Sequence, residues 1–199
     1  RDIGVTGVQT CALPISFKGN GQSKQRLDLE QQQRNHWAQE WLQRALRCCQ
    51  QCPTIKKVSL LTLGHQLSIP EGVHCHVQSV SGLNEGLTEW FELHRPRQLL
   101  VLLPDLPGLE AEDLQELLDQ CPSPGLALAP DRHGQGSNAL ALSQVDPPPF
   151  FFGPSSCQRI TQAAQERGLC VRHVNRPHLA TDIDTLEDWK PFLCPSPSA

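Results

Sequence analysis

Carboxylates and small-residue turns in the second half of the chain carry its most distinctive chemistry. Asp105 stands in Leu103-Pro104-Asp105-Leu106-Pro107, two residues past the apolar run Leu99 to Leu103 and between two prolines. A carboxylate fixed at the end of a buried strand is a hard oxygen donor. Mg²⁺ takes one or two such donors beside substrate phosphates. The alternative is an aspartate in an ordinary turn ahead of a helix. Asp182 and Asp184 are separated by one residue, so on an extended backbone both side chains leave on the same side while Ile183 packs inward. Two parallel carboxylates repel unless a cation lies between them. The competing reading makes Asp184 the N-cap of a helix whose first turn contains Thr185, Glu187 and Asp188.

Gly153-Pro154-Ser155-Ser156 opens a helical segment. Backbone N–H groups at a helix start, with serine hydroxyls and the positive end of the dipole, bind phosphate or carboxylate. An ordinary serine N-cap is the alternative. Gly134-x-Gly136-Ser137-Asn138 is a turn whose glycines let the backbone approach a ligand closely. Lys18, Lys24 and Arg26 lie in a polar, glycine-containing stretch. Lysine as a point charge and arginine as a fork suit a triphosphate, and a solvated basic turn is the plainer reading. The stretch lacks Gly-x-x-x-x-Gly-Lys-Ser/Thr, so it is no P-loop. Cys48-Cys49-Gln50-Gln51-Cys52 and His74-Cys75-His76 have no second ligand pair at finger spacing. Zinc needs four convergent ligands, so both read as structural.

These groups must be positioned by an alternation of strands and helices. Trp37, Trp41, Leu42, Ala45, Leu46 and Cys49 recur at helical spacing across Gln31 to Cys52. Helices are also expected over Gly82 to Leu93, Leu109 to Cys121, Ser156 to Gly168 and Asp184 to Phe192. Trp90 and Trp189 then lie on helix faces as core residues. Strands are expected over Lys57 to Leu63, Val73 to Val80, Leu99 to Leu103, Gly125 to Ala129, Ala139 to Leu142 and Leu169 to Val174. Leu99 to Leu103 is continuously apolar, as in parallel sheets. The alternation predicts an α/β three-layer sandwich with a mostly parallel sheet. Ligands in such sheets gather at the carboxyl ends of the strands, where Asp105 stands.

The 199 residues suit one domain. A formal net charge of −4 does not suggest bulk nucleic-acid binding. The longest apolar run falls far short of the roughly 20 residues of a membrane helix. Nine cysteines without a secretory signal read as reduced thiols in a cytoplasm. The chain lacks methionine, including at position 1, and reads as a fragment of an open reading frame. Residues 1–15 differ in character from the glutamine-rich stretch after them and resemble translated sequencing adapter, so they are set apart from the functional domain. Cys11 to Phe17 is nevertheless apolar enough to serve as a first strand. The domain then runs over 16–194, with 195–199 a frayed tail.

Taken in order, Phe17-Lys18, Ser23-Lys24-x-Arg26-Leu27, Gly82-Leu83-Asn84, Leu103-Pro104-Asp105-Leu106-Pro107, Gly134-x-Gly136-Ser137-Asn138, Phe152-Gly153-Pro154-x-Ser156 and Asp182-x-Asp184-Thr185 resemble the CofC/FbiD family. These guanylyltransferases serve the assembly of the deazaflavin coenzyme F-420. The resemblance covers Phe17 to about Trp189. It implies a nucleotide-diphospho-sugar-transferase-like fold. The implied reaction joins GMP from GTP to a phosphorylated three-carbon acid (2-phospho-L-lactate, phosphoenolpyruvate or 3-phospho-D-glycerate). By the same resemblance Asp105, Asp182 and Asp184 hold Mg²⁺, and Ser137, Gly153 and Ser156 hold the phospho-acid. Lys18, Lys24 and Arg26 meet the triphosphate, with Asn84 on the nucleotide side. Ser137 stands where threonine is usual, Leu186 where proline is common, and Gly19-Asn20-Gly21 is unusually rich in glycine. The expected partners are GTP and a small phosphorylated acid, without nucleic acid or membrane; a homodimer is left open. Two alternatives remain. One is another nucleotidyltransferase of this fold, such as a molybdopterin guanylyltransferase, whose usual Arg-x-Gly-x-Pro-Lys is here Ser-Lys-Gln-Arg-Leu. The other is a non-catalytic nucleotide- or phosphate-binding protein.

Overall fold

The computed structural model describes residues 9–14, 30–64, 69–183, 185, 188 and 192. Seven strands form one sheet in the order β3-β2-β1-β4-β6-β5-β7. They are β1 (Gln9–Pro14), β2 (Ile55–Thr62), β3 (Val73–Val77), β4 (Gln98–Leu102), β5 (Gly125–Pro130), β6 (Ser137–Ser143) and β7 (Cys170–His173). The helices are α1 (Gln31–Gln51), α2 (Leu83–His94), α3 (Ala111–Asp119), α4 (Ser156–Gln165) and α5 (Pro177–Ala180). All strand pairings are parallel except those of β6, which runs antiparallel to both β4 and β5. The sheet is therefore mostly parallel, as the alternation predicts. The reversal of β6 is not foreseeable from that alternation, because residue pattern reports burial rather than strand direction.

Alternation along the central strands divides the core into two layers. Leu100, Leu102, Ala127, Ala129, Ala139 and Ala141 face one side with α1, α3 and Leu179 of α5. Leu99, Val101, Leu126, Leu128, Leu140 and Leu142 face the other with α2 and α4. This period of two on both faces produces a sheet sandwiched between helix layers. The four alanines leave room for short α5 to lie close to β5 and β6. In α1, Trp41, Leu42, Ala45, Leu46 and Cys49 are buried at helical spacing, and Cys52 just past its end is buried as well.

The remaining elements agree with the sequence pattern to within a few residues, with two exceptions. Helix α5 is not anticipated, since four residues carry no periodicity. Of the expected terminal helix, only Thr185, Asp188 and Phe192 are described, and Trp189 lies outside the described residues. The first strand, expected from Cys11 onward, spans Gln9–Pro14 and sits between β2 and β4. Among the described residues no helix is long and apolar enough to cross a membrane.

The cysteine cluster has a plain structural explanation. Cys48 and Cys52 are buried, with their thiols directed at Leu109 O (3.3 Å) and Gln115 Oε1 (3.4 Å). Burial raises the Cys48 thiol to about 11, so it stays neutral at physiological pH. Zinc binds thiolates.

Candidate active site at the carboxyl edge of the sheet

Strands β1, β2, β3 and β4 are parallel, so their carboxyl ends share one edge, and antiparallel β6 begins at that edge. The chain leaves β4 through Leu103-Pro104 and reaches Asp105, which is half-buried. The main-chain N–H of Ile183 donates to the main-chain oxygen of Asp105 at 3.2 Å. Ile183 is fully buried. Residues 78 positions apart thus meet, and Asp182, the neighbour of Ile183, is brought to the loop that carries Asp105. Asp184, on the other side of Ile183, lies outside the described residues, as do Lys18, Lys24 and Arg26.

Among the described residues, Thr185 and Asp188 form a helix cap just past this segment. Thr185 N–H donates to Asp188 Oδ2 at 2.8 Å, and Asp188 N–H reaches Thr185 Oγ1 at 3.4 Å. This reciprocal pattern is a capping box with Thr185 as the cap. Arg132 pairs with Asp188, and Arg132 N–H donates to Ala180 O at 2.8 Å. The turn after β5 is therefore attached to the segment on both sides of Asp182.

That turn is built by Asp131, a residue that sequence reasoning missed. Its carboxylate accepts the N–H groups of His133 (3.0 Å), Gln135 (2.9 Å) and Gly136 (2.8 Å). A Cβ on Gly136 would meet Asp131 Oδ2 at 2.7 Å, so any larger residue there would have to displace the carboxylate that builds the turn. The turn delivers Ser137 and Asn138 to the start of β6, both 3% exposed. Ser137 Oγ makes no hydrogen bond among the described residues, which leaves an unsatisfied hydroxyl at the site edge.

Ser156 opens α4 and is 1% exposed, and two N–H groups of this helix start already have partners. Ser156 N–H donates to Gly153 O (3.1 Å) and Cys157 N–H to Gln135 O (3.0 Å). The second bond docks α4 against the Asp131 turn, so Ser156 and Ser137 belong to hydrogen-bonded neighbours. Gly153, with φ +116, has open space where a Cβ would stand.

Asn84, expected on the nucleotide side, is hydrogen-bonded to the main chain of Phe152. Its Nδ2 donates to Phe152 O at 3.0 Å, and its Oδ1 accepts Phe152 N–H at 2.8 Å. Both amide heteroatoms thus bracket the residue before Gly153. The cavity beside it, of about 500 Å³, is lined by Val80, Asn84, Glu85, Thr88, Glu89 and Glu92. Three carboxylates there would repel a polyphosphate. Asn84 thus joins α2 to the chain beside Gly153.

Among the described residues one acidic group has metal-like spacing: Glu110, Asp113 and His178 place ligand atoms within 4.8 Å of one another. Asp113 is fully buried, and its oxygens are already occupied. Oδ1 accepts Arg176 Nε (2.9 Å), while Oδ2 accepts Glu110 N–H (3.0 Å) and lies 3.0 Å from His178 Nδ1. The Asp113 hydrogen bond holds Arg176 above its ordinary pKa range. A guanidinium already neutralises this carboxylate, so the group is an ion-pair network joining α3 to α5 rather than a cation site. Its consequence is positional, because α5 leads directly into Asp182.

A family described as "Guanylyl transferase CofC like" matches residues 14–194. The chain belongs to this family. Among curated relatives, a phosphoenolpyruvate guanylyltransferase from Sphaerobacter thermophilus is 43% identical over 110 residues, 54% of this chain and 53% of that protein. A 3-phospho-D-glycerate guanylyltransferase from Phenylobacterium zucineum is 38% identical over 90 residues, 45% of this chain and 41% of that protein. The matched segments thus span about half the length of these curated relatives. In fold, this CofC-like chain is similar to a candidate nucleotide-diphospho-sugar transferase from Desulfovibrio desulfuricans. The TM-score is 0.72 at 14% identity, covering 92% of this chain and 85% of the other. The nucleotide-diphospho-sugar-transferase-like fold implied by the sequence resemblance is the one observed.

Proposed function

We propose that the chain transfers GMP from GTP to a phosphorylated three-carbon acid with release of pyrophosphate. The observation that carries this reading is the meeting of Asp105 with the Asp182-Ile183 segment at the carboxyl edge of the sheet. The family match and the two relatives named as guanylyltransferases support it.

The donor set fits a hard divalent cation. Asp105 and Asp182 contribute carboxylate oxygens from two segments joined through the backbone, and Mg²⁺ favours one or two carboxylates together with substrate phosphates. Asp184 is their expected third partner. When bound, the cation neutralises charge on the phosphates. The protein's own residues do the rest. The Asp131 turn and the α4 start hold Ser137 and Ser156 where the acid's phosphate would sit, with Ser137 Oγ available as a donor. Lys18, Lys24 and Arg26 are assigned to the leaving pyrophosphate. An oxygen of the acid's phosphate attacks the α-phosphorus, the α–β bridging bond breaks, and pyrophosphate leaves with its electron pair. The nucleophile is already anionic, so no general base is needed, and positioning dominates the catalysis. The assignment to coenzyme F-420 assembly follows from the family resemblance.

The test is an acid-dependent pyrophosphate assay with GTP and Mg²⁺, run with phosphoenolpyruvate, 3-phospho-D-glycerate and 2-phospho-L-lactate in turn. One acid should give turnover well above the others. Pyrophosphate release that is the same with and without every acid would refute the proposal.

A further inference from the structure

We infer that Asn138 is the positioning residue that sets Asp182 against the Asp105 loop, so that cation affinity depends on a side chain that need not touch the cation. The inference rests on the proposed reading of Asp105 and Asp182 as cation ligands.

Asn138 is 3% exposed and reaches all the segments involved. Its main-chain oxygen accepts Leu103 N–H at 2.9 Å, two residues before Asp105. Its Nδ2 donates to Leu179 O at 3.0 Å, three residues before Asp182. The same Nδ2 lies 3.4 Å from Asp182 Oδ1. An amide nitrogen carries two hydrogens, enough for one to each acceptor. The flipped amide would turn an oxygen toward a carbonyl and a carboxylate, so the surroundings fix its orientation. One buried residue thereby joins the exit of β4, the end of α5 and the Asp182 carboxylate.

The residue type is explained by the electrostatics. A lysine or arginine here would put a positive charge beside Asp182 and oppose a divalent cation. An aspartate would present a third acceptor and repel both neighbours. A neutral amide donor orients the carboxylate without cancelling the field that the cation requires. Hydrogen-bond partners of ligating carboxylates act in this manner, and their loss typically costs about 10- to 100-fold in metal affinity or activity.

The experiment titrates Mn²⁺, with no nucleotide present, into the full chain and follows water-proton relaxation. Native protein, Asn138→Ala, Asp182→Asn and the double variant are compared. Asn138→Ala should weaken Mn²⁺ by about 10-fold and lower kcat by about 10- to 100-fold, while KM for GTP stays within about twofold. In the Asp182→Asn background, Asn138→Ala should add less than about twofold, because it acts through Asp182. Asn138→Ser, whose shorter side chain withdraws the donor from Asp182, replaces the alanine variant if that one does not fold. Native Mn²⁺ affinity in folded Asn138→Ala or Asn138→Ser, or full additivity with Asp182→Asn, would overturn the inference. Native affinity in Asp182→Asn would instead overturn the underlying reading of the aspartates.

Discussion

Ile183 and Asp105 are joined through their main chains at 3.2 Å, and this bond holds the segment carrying Asp182 against the loop that follows β4. Because the joining groups are backbone atoms, the junction survives substitution of the acidic side chains. Asp105→Asn and Asp182→Asn keep size and shape while removing a charge. Each should therefore melt within a few degrees of the native chain yet lose at least about 100-fold in guanylyl transfer, as expected when charge stabilisation is removed. Circular dichroism and steady-state rates on the same samples check this.

Asn84 offers a sharper discrimination, since the sequence resemblance assigns it to the nucleotide and the structure attaches it to Phe152. Asn84→Ala removes two hydrogen bonds to the main chain beside Gly153. The expected result is a several-fold rise in KM for the phospho-acid with KM for GTP nearly unchanged. A rise confined to GTP would return Asn84 to the nucleotide.

The Asp113–Arg176 pair ties α3 to the short helix ahead of Asp182. Arg176→Met would leave the fully buried Asp113 carboxylate without its cation. Such one-sided losses are strongly destabilising. A fall in Tm of roughly 5–10 °C is expected for a chain of this size. Adding Asp113→Asn to that variant should recover part of the loss, because a neutral amide has less need of a counter-charge. Differential scanning calorimetry of the single and double variants decides.

Much of the framework is legible in the sequence, for identifiable reasons. Leu99 to Leu103 and the Gly125 and Ala139 runs are too apolar to lie anywhere but the sheet, so the position of Asp105 comes directly from them. Connections that depend on distant partners are not legible. Asn84 meets Phe152 68 residues away, and Asn138 meets Asp182 44 residues away; no local periodicity reports either. Asp131 has a readable signal, since an aspartate just ahead of Gly134-x-Gly136 is a common turn-former that accepts nearby backbone N–H groups. Helix α5 stays hidden because four residues carry no periodicity, and the partners of Arg176 and His178 lie more than 60 residues away at Asp113.

The amino-terminal stretch gives a further test. Residues 9–14 differ in character from the glutamine-rich segment of α1, yet Ala12 pairs with Ser59 on one side and Val101 on the other. Ala12→Pro removes a ladder donor from a strand with neighbours on both sides. The expected cost is about 3 kcal/mol or more. Urea unfolding should show a clear drop in midpoint, and an unchanged midpoint would mean that this strand contributes little to the sheet.

The central claim concerns which bond of GTP is broken, and isotopic labelling of the phosphates reports it most directly. With Mg²⁺, the productive acid and GTP labelled at the α-phosphate, the label should pass into a new species in which GMP is joined to the acid. With label at the γ-phosphate, all of it should leave as pyrophosphate. Asp182→Asn should form neither product above background. Accumulation of GDP and inorganic phosphate, with no labelled acid adduct, would contradict the account.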